Sequence, residues 1–257
     1  MPCSPAPGPA PDQAVHVLAF DTSTERLAIA LGTPQADHTR LAEGGAVASA
    51  TLLPQARALL DAAGLNWADI DLIAFGNGPG AFTGLRTACA VAQGLGLGLG
   101  KLLLPIDSLL IVAEDARGQL AASEGPLDIG VAMDARMDEV YAARYRWSGS
   151  AANTWQVLDA PALYTLPALA GAWAHVTLHA LAGSALAAFG ARLNVPAAPR
   201  LVTEQDRAAA LLRLARQKVT LETGIDAALA LPLYLRDKVA LTTAEREAVK
   251  HAKAAAA

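Results

Sequence analysis

One pattern occurs twice in this chain and constrains what it can fold into. "VHVLAFDTSTERLAIALG" (residues 15–32) reads as an apolar strand, an aspartate, a polar turn containing glutamate, and a second strand. "LDIGVAMDARMDEVYAARYRW" (residues 127–147) has the same order, with Asp134 standing where Asp21 stands in the first copy. Apolar runs of this length, bounded by turn residues, are strands that need sheet partners. Hairpins are common, so one likeness is modest support on its own. Because strands and helices alternate after each copy, the repeat reads as an internal duplication that produces two α/β lobes of similar plan.

The intervening sequence supplies the helices. Residues 51–64, "TLLPQARALLDAAG", have apolar side chains at helical spacing, a closing glycine, and Pro54 expected in the first turn. Residues 69–76 read as a strand and 82 to about 94 as a helix; later helices are expected over 166–173, 184–193 and 204–219, with a strand over 176–182. The expected layout is a disordered Pro/Ala extension over 1–14, a first lobe over 15–107, a second lobe over 108–240 whose last segment returns to the first, and a tail over 241–257.

With 53% hydrophobic and 17% charged residues, the 257-residue chain is a folded protein and not a disordered one. Aromatics are only 5%, so the core is expected to be mainly Ala, Leu and Val. The formal net charge is −4 and no stretch gathers Lys and Arg at the density a phosphate backbone demands, so any nucleic acid is expected to be held by a partner. Cys3 and Cys89 sit in contexts too different for a disulfide, which suits a reducing cytoplasm. The start has neither a basic region nor an apolar core, and the apolar run 88–100 is shorter than the roughly 20 residues that span a bilayer. A cytoplasmic chain is expected.

Chemistry-bearing candidates are few. "FGNGPGAFTGLR" (residues 75–86) is rich in glycine, yet it lacks the Lys and Ser/Thr of a Walker loop and the spacing of a dinucleotide fingerprint. It reads as a tight turn feeding a strand into a helix, with amides near Phe82 able to meet an anion. Gly94, Gly96, Gly98 and Gly100 are expected to mark the helix end, and with Gly84, Ala88, Ala90 and Ala92 they leave a small-residue surface for another helix, inside the fold or from a partner. "HVTLH" puts His175 and His179 at metal spacing for a helix, but its β-branched content favours a strand, where the two lie about 13 Å apart. Asp21 and Asp134 at strand ends are candidates for holding magnesium or orienting water, or are ordinary turn formers. "DTST" is similar to the first phosphate loop of actin-like ATPases without the glycine such a loop uses.

Taken together, "LAFDTSTERLAIAL", "DLIAFGNGPGAFTGLR", "AVAQGLGLGLG", "DARMDEVYAARY" and "YLRDKVA" resemble the bacterial TsaB (YeaZ) family, in its order and over nearly all the chain except its ends. The resemblance implies an actin-like (ASKHA), duplicated ribonuclease-H-type fold. It implies a non-catalytic scaffold and activating subunit that pairs with TsaD, the transferase that puts a threonylcarbamoyl group on the adenosine beside the anticodon of tRNAs reading codons that start with A. TsaE, an ATPase, joins the pair, and a homodimer forms when TsaD is absent. ATP and metal are then expected on the partner subunits, none bound by this chain alone, with Asp21, Thr22 and Ser23 a vestigial phosphate loop. The resemblance places partner contacts at Leu52, Gln55, Leu59, Phe82, Thr83, Leu85, Arg86, Cys89 and Gln93, the glycines serving mainly to launch an interface helix. Many relatives carry His-Ser or His-Thr before the Leu-Pro where this chain has "VASATLLP". The competing expectation is an actin-fold ATPase or phosphotransferase active on its own through Asp21, Asp134 and magnesium.

Overall fold

The computed structural model describes residues 15–120, 124–221 and 224–236. The expected extension over 1–14 and tail over 241–257 lie outside the described residues. In the first half, β1 (Val17–Asp21) pairs antiparallel with β2 (Arg26–Gly32), which pairs antiparallel with β3 (Asp37–Glu43). After α1 (Ala48–Ala63), β4 (Leu72–Gly78) lies parallel to β1; after α2 (Phe82–Leu99), β5 (Leu102–Asp107) lies parallel to β4; and α3 (Ser108–Gln119) follows. β3 was not anticipated, because "DHTRLAE" is a largely solvated edge strand without an apolar run.

The second half repeats this plan element for element. β6 (Leu127–Asp134), β7 (Glu139–Trp147) and β8 (Trp155–Thr165) form the antiparallel part. Then α4 (Leu166–Ala172), β9 (Ala180–Ala182), α5 (Ala185–Phe189), β10 (Arg200–Leu201) and α6 (Arg207–Leu221) follow, with β9 parallel to β6 and β10 parallel to β9. The sheets are ordered β3-β2-β1-β4-β5 and β8-β7-β6-β9-β10, so corresponding elements occupy corresponding places. That correspondence makes the fold a duplicated α/β architecture of the actin-like kind, in two lobes. The strand expected over 176–182 shortens to Ala180–Ala182.

Several helices depart from expectation at their ends: the one expected over 184–193 stops at Phe189 and gives way to a 3-10 turn over Gly190–Arg192, and the one expected over 204–219 begins at Arg207. α1 begins at Ala48, so Pro54 lies inside the helix and not in its first turn. It still closes on Gly64, whose left-handed backbone (φ 70°) donates to Leu60 O. α2 runs past Gly94 to Leu99 and is capped by Gly100 at φ 66°. Leu85, Ala88, Cys89, Ala92 and Gly96 all pack inward. Their burial offsets the cost of the helical glycines, up to about 1 kcal/mol each.

α1 and α2 cover one face of the first sheet, burying Leu18, Phe20, Ile29, Phe75 and Leu52. α4 and α5 cover one face of the second, around Trp173, Leu181 and Phe189. α3 and α6 lie in the middle and are exchanged between halves: α6 packs on β1 and β2, while α3 packs on β6 and on α6. Buried polar pairs tie this layer together. The Tyr145 hydroxyl on β7 donates to Asp107 Oδ2 at the start of α3, and burial pushes both groups' pKa values up.

Glu114 on α3 accepts from Arg117, from Arg213 of α6 and from the Trp155 indole of β8. Burial pushes the Glu114 carboxyl up, but the two guanidiniums outweigh it and hold it below the usual carboxylate range. A depressed folded pKa contributes stability that is complete above the unfolded value, about 4.3, and is lost as pH falls through the folded one. Glu114→Gln is therefore expected to flatten the fall in urea midpoint below about pH 4.3; equal slopes for wild type and variant would contradict the assignment.

The chain then returns to the first half as an extended strap. Ile225 bridges to Leu103, a short 3-10 turn spans Ala227–Leu229, and Leu233 N donates to Asn77 O at 2.7 Å.

Candidate functional site

A cavity of about 1060 Å³ occupies the cleft between the two halves. Asp21 and Asp134 sit at equivalent strand ends beside it, and each accepts the backbone N–H two residues on: Ser23 N at 3.0 Å and Arg136 N at 2.8 Å. Beyond that likeness the two aspartates differ.

Asp21 is fully buried. Its Oδ1 accepts from Ser23 N (3.0 Å), Ser23 Oγ (2.7 Å) and Arg207 Nε (3.1 Å), and its Oδ2 from Ser108 Oγ (2.8 Å). Three of those bonds fall on Oδ1 and one on Oδ2, so both carboxylate oxygens are held by the protein. Arg207, itself 2% exposed, also donates to Ser23 Oγ, Ser108 O and Glu204 Oε2. A guanidinium thus lies against the groups that a magnesium ion would need. Burial works against the charge on Arg207, but Asp21 and then Glu204 outweigh it and hold the group protonated beyond the ordinary arginine range. Asp134 pairs with its own turn through Arg136, and Arg136 reaches Glu25 across the cleft at 3.5 Å.

The glycine stretch packs against the Asp21–Thr22–Ser23 turn. A Cβ on Gly76 would lie 1.6 Å from Asp21 Oδ2, and one on Gly84 would lie 1.8 Å from Thr22 O. Thr22 Oγ1 donates to Gly84 O at 2.6 Å and Ala81 N donates to Ser23 O at 2.8 Å. The turn read as a vestigial phosphate loop is therefore closed by the chain's own glycines. Close internal packing is what these two glycines are for, a role earlier in the fold than launching an interface helix.

His175 and His179 lie outside any helix; His179 exchanges bonds with the Asp128 backbone, its Nδ1 accepting from Asp128 N at 3.0 Å. Among the described residues no group of three or more His, Cys, Asp or Glu is placed to hold a metal. Likewise, no described helix is long and apolar enough to cross a membrane.

Over residues 47–162 the sequence matches the model of the family TsaD, tRNA N6-adenosine threonylcarbamoyltransferase. It is 34% identical over 142 residues to the tRNA threonylcarbamoyladenosine biosynthesis protein TsaB of Escherichia coli K12, covering 51% of this chain and 55% of that one. The corresponding Haemophilus influenzae protein is 37% identical over 130 residues, 50% of this chain and 53% of that one. The chain thus spans about half the length of these curated relatives in the matched stretch. The solved structure of YeaZ from Pseudomonas aeruginosa matches at a TM-score of 0.71 and 32% identity, over 86% of this chain and 100% of that one. The chain belongs to the TsaB/YeaZ family. A second structure, of an uncharacterized Pseudomonas aeruginosa protein described as similar to peptidase YEAZ, matches with a TM-score of 0.73 over the same shares.

In this TsaB/YeaZ chain the residues expected at a partner contact divide into two groups. Leu52, Leu59, Leu85 and Cys89 are at most 4% exposed and belong to the first lobe's own core. Gln55, Phe82, Thr83, Arg86 and Gln93 reach the surface in whole or part, but several already have partners. Gln55 accepts from Arg40. Arg86 stacks on Phe82 at 3.8 Å and donates to the Tyr234 hydroxyl, and Gln93 Nε2 donates to Ala230 O. The strap therefore lies along one side of α2. What α2 turns outward is Thr83, Arg86, Ala90, Gly94 and Leu97, at spacings of three and four that define one helix face. Leu97 is 65% exposed; Leu53 of α1 and Leu229 and Leu231 of the strap are exposed as well, and α2 packs against both α1 and the 3-10 turn of the strap. Arg207 and Ser108 carried no local signal, since each acts on residues far away in sequence; of the strap, only its return to the first lobe was expected.

Proposed function

We propose that this TsaB/YeaZ chain is a non-catalytic subunit that pairs with a TsaD-type transferase and activates it for threonylcarbamoylation of the adenosine beside the anticodon of tRNAs reading codons that start with A. The observation that carries this reading is the closed Asp21 site. The carboxylate that would serve catalysis in an actin-like cleft is buried and engaged at both oxygens by Arg207, Ser23 and Ser108. Group transfer, ATP and metal then belong to the partners TsaD and TsaE, and this chain supplies a surface, working in the cytoplasm. Transfer RNA meets it only through the complex. The same environment of Asp21 disfavours an independent ATPase or phosphotransferase, which would have to break a buried ion pair to load magnesium.

The contact surface in this reading is the outer face of α1 and α2, used by TsaD or, in its absence, by a second copy. A stable pair of this kind buries about 1,600 Å² in all. Leu85→Glu and Ala88→Glu would test folding and not pairing, because both side chains are internal. Leu53→Glu and Leu97→Glu alter exposed positions instead. Each is expected to leave the circular dichroism spectrum and melting temperature unchanged while weakening the one-to-one complex by about 30-fold or more, as for an interface hot spot near 2 kcal/mol. The measurement is light scattering after size-exclusion chromatography of the chain mixed with TsaD from the same organism. Undiminished pairing by both folded variants would remove this face from the proposal.

A further inference from the structure

We propose that the strap at 225–236 is a latch that carries occupancy of the α2 face to the interlobe cleft. This deepens the pairing reading above and rests on it. One end of the strap is fastened to the first lobe. Ala230 O accepts from Gln93 Nε2 at 2.9 Å and from Cys89 Sγ at 3.4 Å, and the Tyr234 ring lies 5.2 Å from Phe82 while its hydroxyl takes the Arg86 Nε–H. The other end crosses to the second lobe. Arg236, 11% exposed, donates through Nη2 to Ala135 O at 3.0 Å and to Glu139 Oε2 at 2.6 Å.

What Arg236 grips is the turn between β6 and β7, and that turn is unusual. Arg136, Met137 and Asp138 are consecutive L-residues at φ 65°, 58° and 57°. Each is in a conformation that a Cβ disfavours, and such a run persists only where its surroundings hold it. Arg236 is a large part of those surroundings. The first of the three residues, Arg136, is also the one that reaches Glu25 across the cleft. A change in the strap therefore reaches the cleft mouth through two side chains.

Part of the strap is left in water in the free chain, although Ala227 and Ala230 are buried in the first lobe's core. Leu229 and Leu231 are 68% and 72% exposed and Tyr234 is 44% exposed, so docking leaves much of its apolar surface in water. Arg236 Nε is buried with no acceptor among the described residues, a further charge against the docked state. Segments with few buried apolar contacts open at low free energy. A partner seated on α2 would cover the strap's leucines, favour the docked strap, and so fix the strained turn: a population shift driven by contacts made in one state only.

Hydrogen exchange on the full chain, alone and with the TsaD-type partner, tests the latch. The Arg136 and Glu139 amides are reporters, because both are hydrogen-bonded within the turn. In the isolated chain, Arg236→Met is expected to speed exchange over 135–139 by about tenfold, with the β1–β2 hairpin unchanged. Tyr234→Ala, which loosens the strap where it lies on α2, is expected to do the same. The partner is expected to slow exchange over 135–139 in wild type and not in Arg236→Met. Wild-type exchange over the turn in both variants would overturn the latch, as would equal protection by the partner in wild type and Arg236→Met. Loss of pairing itself, read by light scattering, counts against the pairing proposal, while the isolated-chain comparison still decides whether the strap holds the turn.

Discussion

Arg207→Ala is expected to lower the unfolding free energy by about 3–5 kcal/mol, the range for removing one partner of a buried ion pair. The substitution leaves Asp21 fully buried with the Ser23 and Ser108 donors but no positive charge. Asp21→Ala is expected to cost less, because Arg207 keeps Glu204, which is 23% exposed and so partly solvated. The double change Asp21→Ala with Arg207→Ala should recover part of the loss, as the buried carboxylate is then gone together with its cation, and the resulting cycle isolates the coupling. Urea denaturation of the four chains supplies the numbers. A cost under about 1 kcal/mol for Arg207→Ala would mean that the pair is not the centre of the interlobe layer. The same experiment bears on function: if Asp21 were a magnesium ligand held in reserve, freeing it from Arg207 would create metal-dependent stabilisation, and none is expected.

Gly84→Ala and Gly94→Ala, two identical changes in one helix, are expected to move stability in opposite directions. The new methyl at Gly84 would lie 1.8 Å from Thr22 O, a backbone atom of a turn held by the Thr22 hydroxyl and by Ala81 N. Overpacking typically costs about 1–3 kcal/mol, and a collision with fixed backbone belongs at the upper end. The new methyl at Gly94 meets nothing within 4 Å, so the change gains up to about 1 kcal/mol of helix propensity. With roughly 2–4 °C per kcal/mol for a chain of this size, calorimetry should separate the two variants by several degrees. A destabilised Gly94→Ala would show that the outer face of α2 is already occupied in the free protein.

These two predictions mark the boundary of what could be read from the chain. The hairpins, α1, α2 and the paired aspartates were legible because each is a local pattern: apolar runs, turn residues, helical spacing and a closing glycine. β3 escaped because an edge strand needs no apolar run, and the end of α2 was misread because glycine propensity was weighed without the buried face that overrides it. Four of the nine residues expected at the partner contact are internal for a related reason. Leu52, Leu59, Leu85 and Cys89 share a helix with exposed residues, and only the packed sheet decides which side is inside.

By itself the sequence determined the duplication, the α/β class and the two corresponding aspartates, all of which follow from short-range periodicity. The tertiary structure alone decided what those aspartates do. Asp21 meets Arg207 from 186 residues away and Ser108 from 87 away, and Arg236 meets Glu139 across 97 residues. No spacing rule reaches across such distances, because the exchange of α3 and α6 between lobes and the return of the strap are set by which buried faces fit. What a strand-end carboxylate meets is decided by those long-range contacts, and in this chain they bring Arg207 to Asp21.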